Sequence, residues 1–220
     1  LDSNPLYRSD TQLAWLQDQL SLTCNDEHID FVFAQLHHPH RSELWLAGEE
    51  NWSARAIEIL EDFASACDKP SIHLHGHTHA YGRGASRDHR HVWMNVATAS
   101  GDIDYFGEYP SADYTEYNVA YDEYGFVVID TKAGDDPQVR VRRVSRGDAV
   151  AQLDNVVRDD FTVRRYNSVP ETPALPPEVN NIHPDCPQLP RGAFVDPDDD
   201  AFGASRVQVA NSCADFDAPI

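Results

Sequence analysis

Two short apolar runs rich in β-forming residues, separated by one amphipathic stretch, constrain this chain more than any other feature. The first, Ile29-Asp30-Phe31-Val32-Phe33-Ala34-Gln35-Leu36, predicts a buried strand. The second runs from Ser71 to His75. Between them, Trp52 to about Cys67 places Ala56, Ile59, Leu60 and Phe63 on one helical face, with Asn51 as the cap and Lys69-Pro70 as the stop. Strand–loop–helix–strand is the rhythm of an α/β sheet. Such sheets gather ligands at the C-terminal ends of their strands. His37 and His77 each lie just past a strand end, so they can meet although 40 positions separate them.

An earlier helix opens at Ser9, where Gln12 stands at capping-box spacing and Leu13, Leu16 and Leu20 recur on one face. Beyond His79 the texture is all-β. His91–Ala97 and Tyr114–Tyr121 read as strands, and Gly125–Lys132 with Gln138–Val144 reads as a hairpin. From Gly147 onward prolines and acids dominate. This predicts three parts: residues 1–147, an extended Pro-rich linker over 148–190, and residues 191–220. The last part is an acidic tail or the start of an accessory β module, whose first strand would be Gly203 to Val209. Its Asp196-Pro197-Asp198-Asp199-Asp200 cluster lacks the Gly and distal Glu of an EF-hand and reads as a solvated acidic turn.

Composition removes some function classes. The net charge is −20, with 37 acidic against 17 basic residues, which argues against nucleic-acid binding through phosphate neutralisation. No apolar run approaches the roughly 20 residues that span a bilayer. Lysine occurs only at Lys69 and Lys132; an acidic, lysine-poor surface suits salty surroundings or reflects a GC-rich genome. The four cysteines form no CxxC pair. An even count predicts two disulfides in an oxidising compartment, Cys24 with Cys67 and Cys186 with Cys213; two pairs of reduced buried thiols are the other reading.

The 11 histidines cluster: His37, His38 and His40 share one loop, and His73, His75, His77 and His79 surround one turn. Neutral imidazole is a good ligand for Zn, Fe and Mn. In Gly76-His77-Thr78-His79 the glycine permits a sharp bend, and both imidazoles can address neighbouring metals from one tight turn.

The segment Leu74-His75-Gly76-His77-Thr78-His79-Ala80-Tyr81-Gly82-Arg83 resembles the last signature of calcineurin-like metallophosphoesterases, and its Ala80-Tyr81-x-Arg83 extension is similar to that of purple acid phosphatases. Phe31 to Pro39, ending Leu36-His37-His38-Pro39, resembles the preceding signature. The opening Leu1-Asp2-Ser3, with Gln12 and Trp15-Leu16, is similar to the stretch that follows the family's Gly-Asn-His-Glu motif. The likeness covers roughly residues 1–147. It implies an α/β fold, the C-terminal half of a four-layer αββα sandwich followed by a Pro/Asp-rich tail.

By position, the resemblance implies that His37 and His77 bind one metal and His79 the other. The cofactors would be two divalent or mixed-valence ions of Zn, Mn or Fe. His38 would be a catalytic proton donor or an orienting residue. Arg41 and Arg83 would bind substrate phosphate or serve as structural ion-pair partners, Glu43 being one mate for Arg41. The bridging carboxylate and the Asn ligand have no counterpart before His37, so the chain would need a missing N-terminal half of the same domain as its partner. The loop Arg41-Ser42-Glu43-Leu44-Trp45 departs from purple acid phosphatases, where further histidines are expected.

The implied activity, in a complete parent protein that is secreted or extracellular/periplasmic, is hydrolysis of a phosphate ester by a two-metal-activated hydroxide. The isolated 220 residues would be inactive. The competing expectation is a non-catalytic metal-binding module of a larger extracellular assembly.

Overall fold

Ser9 starts the first helix where the sequence predicts, and its hydroxyl accepts the Gln12 N–H at 3.2 Å. Gln12 does not close the capping box. Its side-chain amide instead exchanges two hydrogen bonds with the Asp2 backbone, at 2.6 and 2.9 Å, and so pins the first residues to the helix. The computed structural model describes residues 1–99, 101–147 and 155–166, and the backbone of Val207–Val209.

Helix α1 (Asp10–Cys24) leads into β1 (Val32–Gln35), shorter than the predicted strand. Helix α2 (Asn51–Cys67) follows. Its cap is Glu50, not Asn51: the Glu50 carboxylate accepts the Trp52 N–H at 3.2 Å. Then come β2 (Ser71–His75), β3 (Tyr81–Ala85), β4 (His91–Val96), β5 (Tyr117–Tyr121), β6 (Tyr124–Lys132), β7 (Gln138–Gly147), β8 (Val157–Arg164) and β9 (Val207–Val209).

The strands form a six-stranded sheet, ordered β1-β2-β4-β3-β5-β9, and a three-stranded one, β6-β7-β8. β1, β2 and β4 run parallel, and β3 is antiparallel to β4 and β5. Leu13, Leu16 and Leu20 of α1 pack with Ala56, Leu60 and Phe63 of α2 against Ala34. On the opposite face Ile72, Val92 and Met94 meet Val139, Val141, Phe161 and Val163 of the small sheet. The described residues thus stack helices, sheet and sheet: a mixed α/β arrangement with three of the four expected layers.

Two strands escape a reading of the sequence. β3 is Tyr-Gly-Arg-Gly-Ala, and glycine reads as a turn. In the sheet, however, a Cβ on Gly84 would lie 2.2 Å from Trp93 Nε1, and one on Gly82 would lie 3.1 Å from the Tyr117 ring. The neighbouring rings fill the space that side chains on β3 would have taken. β8 falls in the stretch assigned to the linker, because Arg158-Asp159-Asp160 looks like a solvated charge run. It pairs antiparallel with β7, with Val163 opposite Val139 and Phe161 opposite Val141.

Phe31, Val127 and Ile129 pack at the margin of the inter-sheet core, while Phe33, on outer strand β1, remains 43% exposed. Cys186, Cys213, the proline-rich stretch 169–189 and the acidic cluster at 196–200 lie outside the described residues. Of 203–209, Val207–Val209 are described; they pair parallel with β5 at the edge of the large sheet.

Cys24 and Cys67 form a disulfide between the ends of α1 and α2, closing a sequence separation of 43. Cross-links over loops of this size restrict the unfolded chain and stabilise by about 3 kcal/mol. Replacing both cysteines by serine should lower the unfolding free energy by about that amount relative to the oxidised chain, read as a lower urea midpoint. An unchanged midpoint would mean that the α1–α2 core holds without the link.

Candidate metal centre

His37 follows β1 and His77 follows β2, and parallel pairing of these strands sets their ends side by side. The Gly76 N–H donates to the His37 carbonyl at 3.0 Å and joins the two segments. The sharp bend is carried by His77 itself, which has φ 73°, and not by Gly76. A left-handed non-glycine residue costs on the order of 1 kcal/mol and persists only where its surroundings impose it. Here Asn95 Nδ2 donates to the Thr78 carbonyl at 2.8 Å, and the buried Thr78 hydroxyl meets the Ser42 hydroxyl at 2.8 Å.

The turn brings His77 Nδ1 to 3.1 Å from His37 Nε2. Two imidazole nitrogens on one tetrahedral ion, each about 2.05 Å away, stand about 3.3 Å apart. The pair therefore has the separation of two ligands of a single metal. His38 completes a group in which the three ligand atoms lie within 4.8 Å of one another. Burial, then the neighbouring His38 and His37 rings, push His77 down to about 4, so it is neutral at pH 7 as a ligand must be.

Ser3 gives His38 a defined role. Its hydroxyl accepts the His37 and His38 backbone N–H groups at 3.1 and 2.9 Å. Both its lone pairs are then used, so its own proton goes to His38 Nδ1, 3.0 Å away. That assigns the ring proton to Nε2 and makes His38 a donor toward the cluster. Burial first, then His37 and Arg8, lower the His38 pKa.

His79 is held apart from this group. Its Nδ1 donates to the Asp102 carbonyl at 2.7 Å, and its backbone N–H donates to Asp104 Oδ2 at 2.7 Å. The carbonyl contact holds a proton on Nδ1, so Nε2 is the nitrogen through which His79 could ligate. Asp102 is thus the support of His79. Ser3 lies in the opening stretch that carries the resemblance but shows no role there, and Asp102 carries no sequence signal beyond its type; each acts through a contact between segments far apart in the chain.

The two arginines are occupied. Arg41 pairs with Glu116 at 2.8 Å and lies over the Tyr114 ring. Glu43 is not its mate in that pair; one Glu43 oxygen accepts the Tyr114 N–H at 3.2 Å. Arg83 is 3% exposed and pairs with Asp159 through Nε at 2.6 Å and Nη2 at 3.2 Å. The structure makes Arg83 the joint between the two sheets.

Beneath α2 lies a second group of histidines. Ser71 donates to the Leu60 carbonyl, and β alternation puts His73 and His75 on that same helix-facing side. His73, His75 and His91 are at most 2% exposed. Both ring nitrogens of His73 and of His75, and Nε2 of His91, have no protein partner.

No protein-family model matches the chain, and no curated protein matches it. Solved structures do. One is GAP50, the anchor in the inner membrane complex of Plasmodium, with a TM-score of 0.47 and 14% identity over 71% of this chain and 48% of that one. Another is PhoD, with a TM-score of 0.50 and 10% identity over 71% of this chain and 33% of that one. The chain spans less than half of either structure. The likeness to PhoD is one of fold alone, and the two-sheet α/β arrangement is compatible with a partial metallophosphoesterase-like fold.

Proposed function

We propose that this chain supplies the histidine half of a dinuclear metal site in a phosphoesterase acting outside the cell. The observation that carries this reading is the approach of His37 Nε2 to His77 Nδ1 at 3.1 Å, with His77 held in a strained backbone conformation. His37 and His77 would hold one ion; His79, its Nδ1 tied to the Asp102 carbonyl, would hold the second through Nε2. The bridging carboxylate and amide come from an N-terminal half of the same domain. Bound, Zn, Mn or Fe ions would supply Lewis acidity toward a phosphoryl oxygen and a water acidified for attack. His38 offers its Nε2 proton to a phosphoryl or leaving oxygen. Arg41, tied to Glu116, positions the loop that carries the rim of the site. The disulfide supports the extracellular assignment.

The test is a metal titration of this chain followed by hydrolysis of p-nitrophenyl phosphate and its bis ester by the parent protein. His37→Ala and His77→Ala should each weaken metal binding by more than the roughly 10–100-fold that outer partners cost. His38→Gln should keep the metal and lose about 100-fold or more in turnover. Metal affinity indifferent to His37 and His77 would refute the site. Strong metal binding without ester hydrolysis in the parent would leave a non-catalytic metal module.

A further inference from the structure

The loop between β1 and α2 places one large ring against the histidine cluster. Trp45 is half-buried, and its ring centroid lies 5.0 Å from that of His77, tilted by 37°. Tyr109 continues the surface at 5.9 Å from Trp45 and is 38% exposed.

This ledge is built from several directions. Gly48 lies under it: a Cβ there would come within 2.8 Å of Trp45 Cε3 and 3.3 Å of His77 Cδ2. The Leu46 N–H donates to the Pro110 carbonyl at 3.1 Å, and the Ala112 N–H donates to the Glu43 carbonyl at 3.1 Å. The Tyr114 hydroxyl donates to Glu49 at 2.7 Å. These bonds lace the loop bearing Trp45 to the loop bearing Tyr109, so both rings are fixed beside the proposed metal ligands before any ligand arrives.

Two flat apolar rings held at the edge of a polar, metal-binding centre match one kind of ligand: an ester with its phosphoryl group at the centre and a planar group against the rings. We infer that Trp45 and Tyr109 form a stacking subsite for the aromatic alcohol portion of the substrate, which makes the preferred substrate class aryl or similarly planar phosphate esters. This rests on the metal-site reading above.

The experiment measures binding by calorimetry, with the parent protein loaded with Mn2+ or Zn2+ and phenyl phosphate or methyl phosphate as the probe. Phenyl phosphate should bind about fivefold to tenfold more tightly than methyl phosphate, the range of one aromatic contact. Tyr109→Ala, at an exposed position, and Trp45→Leu should each bring the two affinities together, with metal affinity and methyl phosphate binding unchanged. Equal affinities in the unsubstituted protein, or a preference that survives both substitutions, would overturn the subsite while the metal site stands. If neither ester binds in a metal-dependent way, the metal reading fails and the subsite falls with it.

Discussion

Acidification of the metal-free chain from pH 7 to about pH 4.5 should remove most of its folding stability. His73 and His91 are fully buried beneath α2, at 0% and 1% exposure. Burial, and then the neighbouring His75, His40 and His91, hold His73 well below the usual histidine value; burial, and then His89, push His91 down to about 3. The groups that face them are His40, His75, Ser71 and Trp93. No carboxylate is among the causes, so nothing there favours the imidazolium. In the unfolded chain both rings take protons near pH 6.5. Below that value the unfolded state binds protons that the native state refuses. Stability is therefore full above about pH 7 and falls as pH drops from 6.5 toward the folded value. Each ring contributes about 1.4 kcal/mol per pH unit. His91 alone loses roughly 2–3 kcal/mol by pH 4.5, and His73, shifted in the same direction, adds to a loss that is large against a small domain's whole stability. Urea melts with chelator at pH 7.5, 6.5, 5.5 and 4.5 measure this, and His91→Gln should remove one ring's share of the slope, while His40, His73, His75 and His77, all held low by burial, keep the rest. A stability independent of pH between 7 and 5 would contradict the assignment.

The parts of the fold that were legible in the sequence are those built from local regularity. The periodic leucines of α1, the face of α2 and the alternation in β6 and β7 are readable because each element buries one side of itself. β3 and β8 were illegible because their strand character comes from partners: the rings of Trp93 and Tyr117 for Gly84 and Gly82, and the buried face of β7 for Phe161 and Val163. The site divides in the same way. His37 and His77 could be paired from strand order alone. The distinction between the roles proposed for His38 and His79 depends on Ser3 and on the Asp102 carbonyl, 35 and 23 positions away. Arg83 was ambiguous for a related reason. A guanidinium four residues beyond a histidine turn suits an anion or a carboxylate equally well, and the carboxylate that takes it lies 76 positions later.

That carboxylate supplies the second large effect. Asp159→Ala should destabilise the chain by about 3–5 kcal/mol, whereas losing the adjacent Asp160 should cost about 1 kcal/mol or less. Strand alternation turns the two neighbours to opposite sides of β8. Asp159 is 3% exposed and accepts from Arg83 Nε and Nη2 and from the Tyr81 hydroxyl, at 2.6, 3.2 and 2.7 Å. Asp160 meets Arg140 at 2.8 Å, but its side chain is 37% exposed and that of Arg140 is 54% exposed, so water and salt screen the pair. Removing Asp159 leaves a buried guanidinium over the Phe161 ring with no counter-charge, and a buried hydroxyl with no acceptor. The measurement is the thermal midpoint and the urea midpoint of Asp159→Ala, Asp160→Ala and the double variant Arg83→Met with Asp159→Leu. The double variant should recover much of the loss, because an apolar pair of similar volume leaves no charge unpaired. It should also bind metal as the unsubstituted chain does, since Arg83 and Asp159 stand outside the histidine cluster. A small effect of Asp159→Ala would show that water reaches Arg83. Loss of metal binding in a folded double variant would return Arg83 to the site.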